Sequence, residues 1–344
     1  MYKLKQLPED FIVTEISSVK INPTKTKDKK KYVYYTLKKK NRNTLDVTKE
    51  IAKKLNLKEK EIGFAGSKDR QAVTEQLISL PIRKQEKLNQ IQLENISLEL
   101  VGYGDDPLSL GDLEGNQFEI VIRNLEKGQI KKAEYCENYF DEQRFSAHNV
   151  AIGRHLVKKE FQEALKLIDD EKCTKHLQHY PHDFIGTLKK LPIRLLRMYV
   201  NAYQSYLWNE TLSQYLIGKG KVVREIPYSL GKFIFIDDPK PFLELTIPVI
   251  GFASEELENG EIKTLINELM KKEQLDYANF VIKQIPQLSL EGNSRKVFVK
   301  INNLEIGRKT KDELNAGMMK VTLKFSLPKG SYATIVVKKL LINS

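Results

Sequence analysis

A short loop between two predicted strands carries the side chain best suited to act as a nucleophile. The loop reads Gly63-Phe64-Ala65-Gly66-Ser67-Lys68-Asp69-Arg70, so Asp69 has a cation on each side. Positive neighbours keep a carboxylate ionised, and an ionised carboxylate can attack an electrophilic carbon without a metal or a cofactor. The two glycines allow a tight main-chain path that other segments can approach closely. The loop alone leaves two interpretations open: a catalytic nucleophile, or a turn aspartate in a surface ion pair.

A second cluster contains Cys173, His176, His179 and His182. Cysteine and histidine at this spacing could hold zinc. However, Pro181 should break any helix that carries the first three, and no distant cysteine pair completes a usual structural site. The chain has only two cysteines, so we expect reduced thiols and no metal, although the sequence does not decide whether this cluster binds one.

Positive charge is concentrated in residues 25–42, which hold nine basic residues and one acid. That is +8 of the chain's net +12. Tyr32, Tyr34 and Tyr35 lie in the same segment and could stack on bases beside lysines that meet phosphates. The segment therefore predicts a nucleic-acid surface, with a solvated loop as the alternative.

Other enzyme classes lack their signatures. The sequence has no phosphate-binding Gly-rich loop ending in Lys-Ser/Thr, no dinucleotide fingerprint and no His-Glu-x-x-His helix, which argues against ATP, NAD and metalloprotease chemistry. No apolar run approaches the ~18 residues needed to span a bilayer, and the first residues lack the apolar core of a signal peptide. We expect a cytoplasmic protein without a membrane partner.

The elements that would position these residues fall into three parts. Before residue 155, the patterns predict a helix capped by Thr44 and ending near Asn56, and strands at Ile62–Phe64, Ala72–Leu80, Ser97–Tyr103 and Gln117–Arg123. Helices follow at Phe161–Ile168, Ile193–Leu212 and Glu261–Lys272, the second apolar on all sides and therefore buried. Strands return at Val297–Ile301, Lys320–Phe325 and Thr334–Val337. This order suggests one sheet interrupted by an inserted domain.

Five ordered segments resemble the TruD family of pseudouridine synthases. The signature segment is Gly66–Gln76, and the others are Leu4-Lys5 with Pro8–Glu15, Leu110–Phe118, Asn138–Phe145 and Leu327–Thr334. The helical segment Asn201–Asn209 is also similar to a family element. The matching segments span residues 4 to 334, so the resemblance covers almost the whole chain.

The resemblance implies a mixed α/β (α+β) catalytic core, 1–158 and 299–344, interrupted by a mostly helical inserted domain, 159–298. It implies a cofactor-free isomerase that converts uridine to pseudouridine in tRNA, typically at position 13, and it favours a monomer. Asp69 becomes the nucleophile. Lys5, Phe11, Asn138, Phe140 and Tyr332 occupy family positions around the target base.

Two further basic residues are candidates for substrate binding. Arg144, like Lys5, could hold Asp69 ionised or clamp a phosphate. Lys68 adjoins the nucleophile in sequence. Two functional alternatives remain at this point: a non-catalytic protein that binds structured RNA, and an active synthase with another main RNA target.

The sequence also departs from the family pattern. Asp141 and Ser146 stand where glycine is usual, and Lys338-Lys339 stand where Arg-Glu is common. None of these removes a proposed catalytic group. The glycine losses could change the path of the loop near Phe140, and the lysines remove a usual acidic partner.

Overall fold

The computed structural model describes residues 2–19, 30–126, 130–145, 148–254 and 260–341. The strands are β1 Phe11–Ser17, β2 Tyr32–Lys40, β3 Gly63–Phe64, β4 Val73–Pro81, β5 Ile96–Gly104, β6 Leu113–Leu125, β7 Tyr135–Glu137, β8 Val222–Tyr228, β9 Gly231–Ile236, β10 Thr246–Val249, β11 Asn293–Lys296, β12 Phe298–Lys300, β13 Asn302–Ile306, β14 Thr310–Lys311 and β15 Met319–Pro328. The helices are α1 Thr44–Leu55, α2 Gln85–Leu88, α3 Asn149–Val157, α4 Phe161–Lys166, α5 Glu171–His179, α6 Phe184–Leu188, α7 Ile193–Lys219, α8 Gly260–Glu273 and α9 Ala333–Leu340. The mixed α and β architecture predicted from the sequence is confirmed.

The chain divides into two compact units. The first comprises the described residues of Met1–Glu134 and Lys300–Ala333, and the second comprises those of Tyr135–Val299 and Thr334–Ile342. The units thus group 135–158 and 334–342 with the middle of the chain. The assignment of 1–158 and 299–344 to a catalytic domain around an inserted domain, 159–298, stays a prediction.

The first unit is built on a nine-stranded sheet in the order β13-β15-β6-β1-β4-β2-β5, with β14 paired to β15 and β3 to β4. Strands β1 and β4 are parallel, with Ile12 opposite Val73. Because parallel strands begin at the same edge of a sheet, Phe11 at the start of β1 lies at the edge where the loop before Val73 arrives. This pairing brings the N-terminal segment and the Asp69 loop to one place.

Strand β2 lies between β4 and β5, so most of the described part of the predicted nucleic-acid segment forms an internal strand of the sheet. Tyr34 and Tyr35 are 5% and 2% exposed, and their hydroxyls donate to Asp106 O and Asn89 Oδ1. The expectation that these two tyrosines stack on bases is wrong, because a half-apolar strand at the centre of a sheet buries its rings on both faces. Residues 20–29 lie outside the described part of the chain.

The second unit is organised around α7, which is 27 residues long. Trp208 and Tyr203 on this helix are fully buried, which confirms the prediction of a buried helix for its middle, whereas Ile193, Arg194, Arg197 and Met198 in its first turns are exposed. Helix α3 packs along it, and strand pairs β8–β9 and β10–β11 flank it. Helix α5 ends at His179, before Pro181, as predicted.

Two local predictions were wrong. The segment Thr334–Val337 is helical, within α9, although its β-branched residues favour strands. Positions 333, 335, 336, 337, 339 and 340 are all buried, so α9 is covered on most sides, and this tertiary packing outweighs the local preference. Asn43, not Thr44, caps α1, because its side chain accepts from the Leu45 N–H at 3.0 Å. In the described ranges, no helix is both long and apolar enough to cross a membrane.

Candidate active site

Asp69 lies in the first unit, in the loop that precedes β4, and its side chain is 34% exposed. The Lys5 ammonium is 2.6 Å from Asp69 Oδ2. The same ammonium lies 4.2 Å from the centroid of the Phe11 ring, which is itself buried. The accessible Asp69 carboxylate thus faces a cation that is held against an aromatic ring. A carboxylate nucleophile requires such a cationic neighbour.

Lys5 reaches this position through an unusual main-chain conformation. Its φ is 56°, in the left-handed region that residues other than glycine, asparagine and aspartate seldom adopt. The strain is held by neighbours: Lys3 pairs with Arg123 in an isolated bridge, and Gln71 Nε2 donates to Lys5 O at 2.8 Å. Strain maintained in this way is concentrated at functional sites in proteins.

The Asp69 loop has no regular secondary structure from Gly66 to Asp69, so side chains satisfy its main-chain groups. The Lys68 N–H donates to Thr44 Oγ1 at 3.0 Å, and Gln76 Nε2 donates to Gly66 O at 2.9 Å. Thr44 Oγ1 in turn donates to Gln76 Oε1 at 2.8 Å. Both of these polar side chains are buried, which fixes the loop against α1 and β4.

Lys68 points into the protein rather than towards solvent. Its ammonium pairs with the Glu15 carboxylate on β1, and the two side chains are 6% and 2% exposed. A lysine buried in an ion pair is poorly placed to contact RNA. Its geometry favours a role in holding the loop.

Lys39, on β2, is a residue near the nucleophile that the sequence reasoning missed. Its ammonium donates to main-chain oxygens of Asp69 at 2.9 Å and Arg42 at 2.7 Å. Burial lowers the pKa of Lys39 to about 8, with the positive charge of Lys68 acting in the same direction and the negative charge of Asp69 opposing it. The alternation along β2 could have marked position 39 as inward-facing, but a lysine at that position gave no apolar signal.

The two loop glycines differ in what they do. A side chain at Gly63 would lie 2.4 Å from Leu108 O, so this position must stay small for the two segments to approach. At Gly66, an added Cβ would meet nothing within 4 Å. The expected close main-chain approach is thus confirmed at one of the two glycines.

Asn138 lies in the second unit, with its side chain fixed by β11. Arg295 Nη2 donates to Asn138 Oδ1 at 2.7 Å, and Asn138 Nδ2 donates to Lys296 O at 3.0 Å. Arg295 also donates to the main-chain oxygen of Asn138. The sequence reasoning missed Arg295, because nothing local to an isolated arginine on an edge strand identifies its partner.

Phe140 is held from both its main chain and its ring. Its N–H donates to Asn209 Oδ1 at 3.0 Å, and Asn209 Nδ2 donates back to Phe140 O at 2.8 Å. The Arg295 guanidinium lies 4.0 Å from the ring centroid, and Trp208 packs edge-on at 5.6 Å. The ring is therefore fixed between a cation and a buried aromatic side chain.

Beside Phe140 is a cavity of about 420 Å³ within the second unit. Its wall includes both arginines of this region, Arg144 and Arg295, and the polar side chains of Asn201 and Ser205. Arg144 Nε lies 3.4 Å from Ser205 Oγ. Phe140 and Arg144 thus line one polar cavity, and Asn138 is bonded to Arg295 of the same wall.

Tyr332 is half-buried in the first unit, immediately before α9. Lys5, Phe11 and Asp69 form one cluster in that unit, and Asn138, Phe140 and Arg144 form another in the second. The structure therefore groups these six predicted residues into two sets, one in each unit.

The cysteine and histidine cluster does not converge on one point. Cys173 is buried, His176 Nε2 lies 2.9 Å from Asp183 Oδ2, and His179 Nδ1 lies 2.9 Å from Lys175 O. Across the described residues, no group of three or more His, Cys, Asp or Glu side chains is arranged to hold a metal ion. His176 and His179 thus have local hydrogen-bond partners, and the His182 ring packs edge-on against Phe184.

Comparison with known proteins gives a consistent result. The profile of the family described as tRNA pseudouridine synthase D (TruD) matches residues 2–173, 167–227 and 240–340. The tRNA pseudouridine synthase D of Aquifex aeolicus is 30% identical over 389 aligned positions, covering 98% of this chain and 97% of that protein. The protein named "Probable tRNA pseudouridine synthase D 2" of Methanocaldococcus jannaschii is 34% identical, covering 98% and 91%.

A solved structure is similar over the same length. The crystal structure of a protein from Methanosarcina mazei, described as "Putative tRNA pseudouridine synthase D (TruD)", aligns with a TM-score of 0.68 at 26% identity. The alignment covers 98% of this chain and 93% of that one.

Proposed function

The chain belongs to the tRNA pseudouridine synthase D (TruD) family, and we propose that it isomerises uridine to pseudouridine at position 13 of tRNA with Asp69 as the nucleophile. The observation that carries the assignment of Asp69 is its accessible carboxylate, 2.6 Å from the Lys5 ammonium at the edge where β1 and β4 begin. The position in tRNA follows from the family resemblance.

The reaction is an internal rearrangement. The target uridine leaves its stack, its C1′–N1 bond breaks, the base turns, and a C1′–C5 bond forms. C5 loses a proton and N1 gains one, so the atoms balance without an external oxidant or reductant. Attack by Asp69 on the sugar, attack on the base ring and a glycal-like route each use the ionised carboxylate, which Lys5 stabilises.

The remaining side chains divide by what they can contact. The Phe11 ring lies against the Lys5 ammonium. Because the ring is buried, we assign it to holding that ammonium rather than to stacking on a base. Phe140 and Arg144 offer an aromatic face and a cation at the second unit's cavity, which suits a base and its phosphate, and Asn138 is bonded to Arg295 of the same cavity wall. Tyr332 is retained as a further substrate-binding residue on the family resemblance.

We also propose that the described part of the basic segment, residues 30–42, contacts RNA. A groove of about 570 Å³ in the first unit is lined by Lys30 and Lys31, by Tyr32, and by two cations distant in sequence, Lys60 and Arg83. Asp105 and Glu61 neutralise part of this charge. Lys31 and Lys60 are exposed, which leaves the groove with a net positive charge for phosphates.

This basic groove lies far from Asp69. Tyr32 pairs with Pro81 at the groove end of β2 and β4, and Lys40 pairs with Val73 at the Asp69 end. Eight residue steps of extended strand correspond to about 26 Å. An RNA that contacts both must span about 26 Å, which a folded tRNA does.

The proposal also includes a monomeric, cytoplasmic enzyme that needs no metal or nucleotide cofactor. The His176, His179 and His182 cluster is the place to test this. Activity is expected to survive extensive chelation, and its loss with the fold intact would contradict a cofactor-free reaction.

Asp69→Asn tests the assignment directly. The amide keeps the shape of the side chain but lacks the negative charge that covalent attack needs, so turnover should fall by several orders of magnitude. Binding of the same full-length tRNA transcript should persist. Asp106→Asn, at an exposed acid in another loop of the first unit, is the matched control and should stay active.

The assay measures pseudouridine formation beside RNA binding. Near-normal turnover by Asp69→Asn would exclude Asp69 as the nucleophile. An inactive parent protein that binds tRNA tightly would point to a binding module, and pseudouridine mapping in cells with and without the protein would reveal a different main target.

A further inference from the structure

Lys39 lies at a position of β2 where an apolar residue is expected. On β2, residues 33, 35, 37 and 39 share one face, and the first three are the buried apolar side chains Val33, Tyr35 and Leu37. Lys39 is 1% exposed. An ammonium group taken out of water in this way costs several kcal/mol unless its donors are satisfied. Some specific contact must therefore compensate for its burial.

The hydrogen bonds of Lys39 join it to the Asp69 loop and to the main chain of Arg42, just after β2. Among the described residues, its hydrogen-bond acceptors are main-chain oxygens: Arg42 O at 2.7 Å, Asp69 O at 2.9 Å and Lys68 O at 3.4 Å. Three donors thus meet three carbonyls. The ammonium ties β2 to a loop that has no regular hydrogen-bond ladder of its own.

We propose that Lys39 is a positioning residue, whose charged ammonium fixes the main chain of the loop so that the Asp69 carboxylate keeps its place beside Lys5. This inference rests on the proposed role of Asp69. Lys39 does not touch substrate, because it is enclosed within the sheet. Its effect should therefore appear in kcat and leave the KM for RNA nearly unchanged.

The charge state of Lys39 makes the role measurable. Its pKa is lowered to about 8, first by burial, and the charged groups around it are Lys68, which lowers the pKa further, and Asp69, which raises it. Lys5 faces Asp69 from the N-terminal segment. Protonated Lys39 predominates below that pKa, and the neutral amine loses one of its three donors above it. Activity should therefore decline as the pH rises through about 8.

The experiment compares kcat and KM between pH 6.5 and 9.5 for the parent protein, Lys39→Met and Lys339→Met, using a full-length tRNA transcript. In the parent, kcat should fall about tenfold over the alkaline limb, the equivalent of one hydrogen bond from a charged donor. Lys39→Met should lower kcat about a hundredfold, with KM within about twofold, and should lack that limb. Lys339→Met removes another buried lysine, which pairs with Glu137, and should lower Tm while keeping the limb.

A Lys39→Met protein that keeps parental kcat, or keeps the alkaline limb, overturns the proposal. If that variant does not fold by circular dichroism, the parent's profile decides: a flat kcat up to pH 9.5 overturns the proposal, and a decline near pH 8 that Lys339→Met retains supports it. Asp69→Asn in the same assay separates the two hypotheses. Full activity in Asp69→Asn contradicts the nucleophile assignment, whereas an inactive Asp69→Asn beside an unaffected Lys39→Met contradicts only the positioning role.

Discussion

The Lys338 ammonium lies 2.7 Å from Asp141 Oδ1, and the two side chains are 16% and 7% exposed. Both residues are departures from the family pattern. The adjacent departure, Lys339, pairs with the buried Glu137 at 2.9 Å. The two lysines thus find acidic partners in and beside β7, so the acid missing at position 339 is replaced by acids elsewhere. Ser146, the other departure, lies outside the described residues.

This pairing predicts strong coupling between positions 141 and 338. Asp141→Asn or Lys338→Met alone should destabilise the protein by about 3 kcal/mol, because each leaves a largely buried charge without its partner. The double variant should lose much less than the sum. A double-mutant cycle from urea unfolding gives the coupling, and strictly additive losses would show that the pair contributes nothing specific.

Removal of the Lys5 charge should reduce turnover without unfolding the protein. Lys5→Asn is the sharpest change, since asparagine tolerates the left-handed φ of 56° that most residues resist. Loss of the ammonium beside Asp69 should lower kcat about a hundredfold, the scale of one electrostatic contact in an active site. Lys3→Asn, at the exposed lysine that bonds Asn315, is the control. Equal kcat in the two variants would contradict a charge role for Lys5.

The basic groove should contribute affinity and not chemistry. Lys30→Gln, Lys31→Gln and Lys60→Gln together should reduce the slope of log Kd against log salt by about 2, because each phosphate contact contributes ~0.7. Lys166→Gln, Lys172→Gln and Lys175→Gln remove the same charge from exposed positions of the second unit and serve as the control.

The length of the RNA provides a second arm of the same test. At about 26 Å from the Asp69 end of β4, the groove should matter for full-length tRNA and not for an RNA that carries the target uridine but is too short to span that distance. An unchanged salt slope with full-length tRNA and intact folding would remove the groove from the RNA-binding surface.

Stability of the first unit should fall in acid through Asp312. Burial alone would raise its pKa, but hydrogen bonds from Asn124 N–H, Asn315, Leu314 N–H and Arg123 outweigh burial and lower the pKa from 3.8 to about 2. A lowered carboxyl pKa means that its stabilising contribution is present above pH 4 and is lost as the pH falls towards 2.

Asp312→Asn isolates this contribution. The variant should lose about 2 kcal/mol at neutral pH, as expected for hydrogen bonds to a buried charge. Its Tm should then fall less steeply than that of the parent between pH 4 and 2, as measured by circular dichroism melts. Parallel Tm curves for the two proteins would contradict the assignment.

The sequence by itself determined the local elements whose signals are periodic or chemical. The alternation of Ala72–Leu80 and the apolar turns of Ile193–Leu212 predicted β4 and the buried α7, and the loop between β3 and β4 singled out Asp69. The predictions of β4 and α7 succeeded because backbone geometry imposes a repeat of two or about 3.6 residues on the chain. The family motifs added the reaction and the residues around it.

The tertiary structure decided what each charge does. Lysines usually lie on the surface of a protein, yet Lys39 and Lys68 are buried and contact the Asp69 loop or form part of it. Tyr34 and Tyr35 are core residues and do not offer their rings for base stacking. Arg295 acquires its place against Asn138 and Phe140 from a strand more than 150 residues away. Burial and pairing of a charge depend on which distant segment covers it, and local periodicity does not encode that partner.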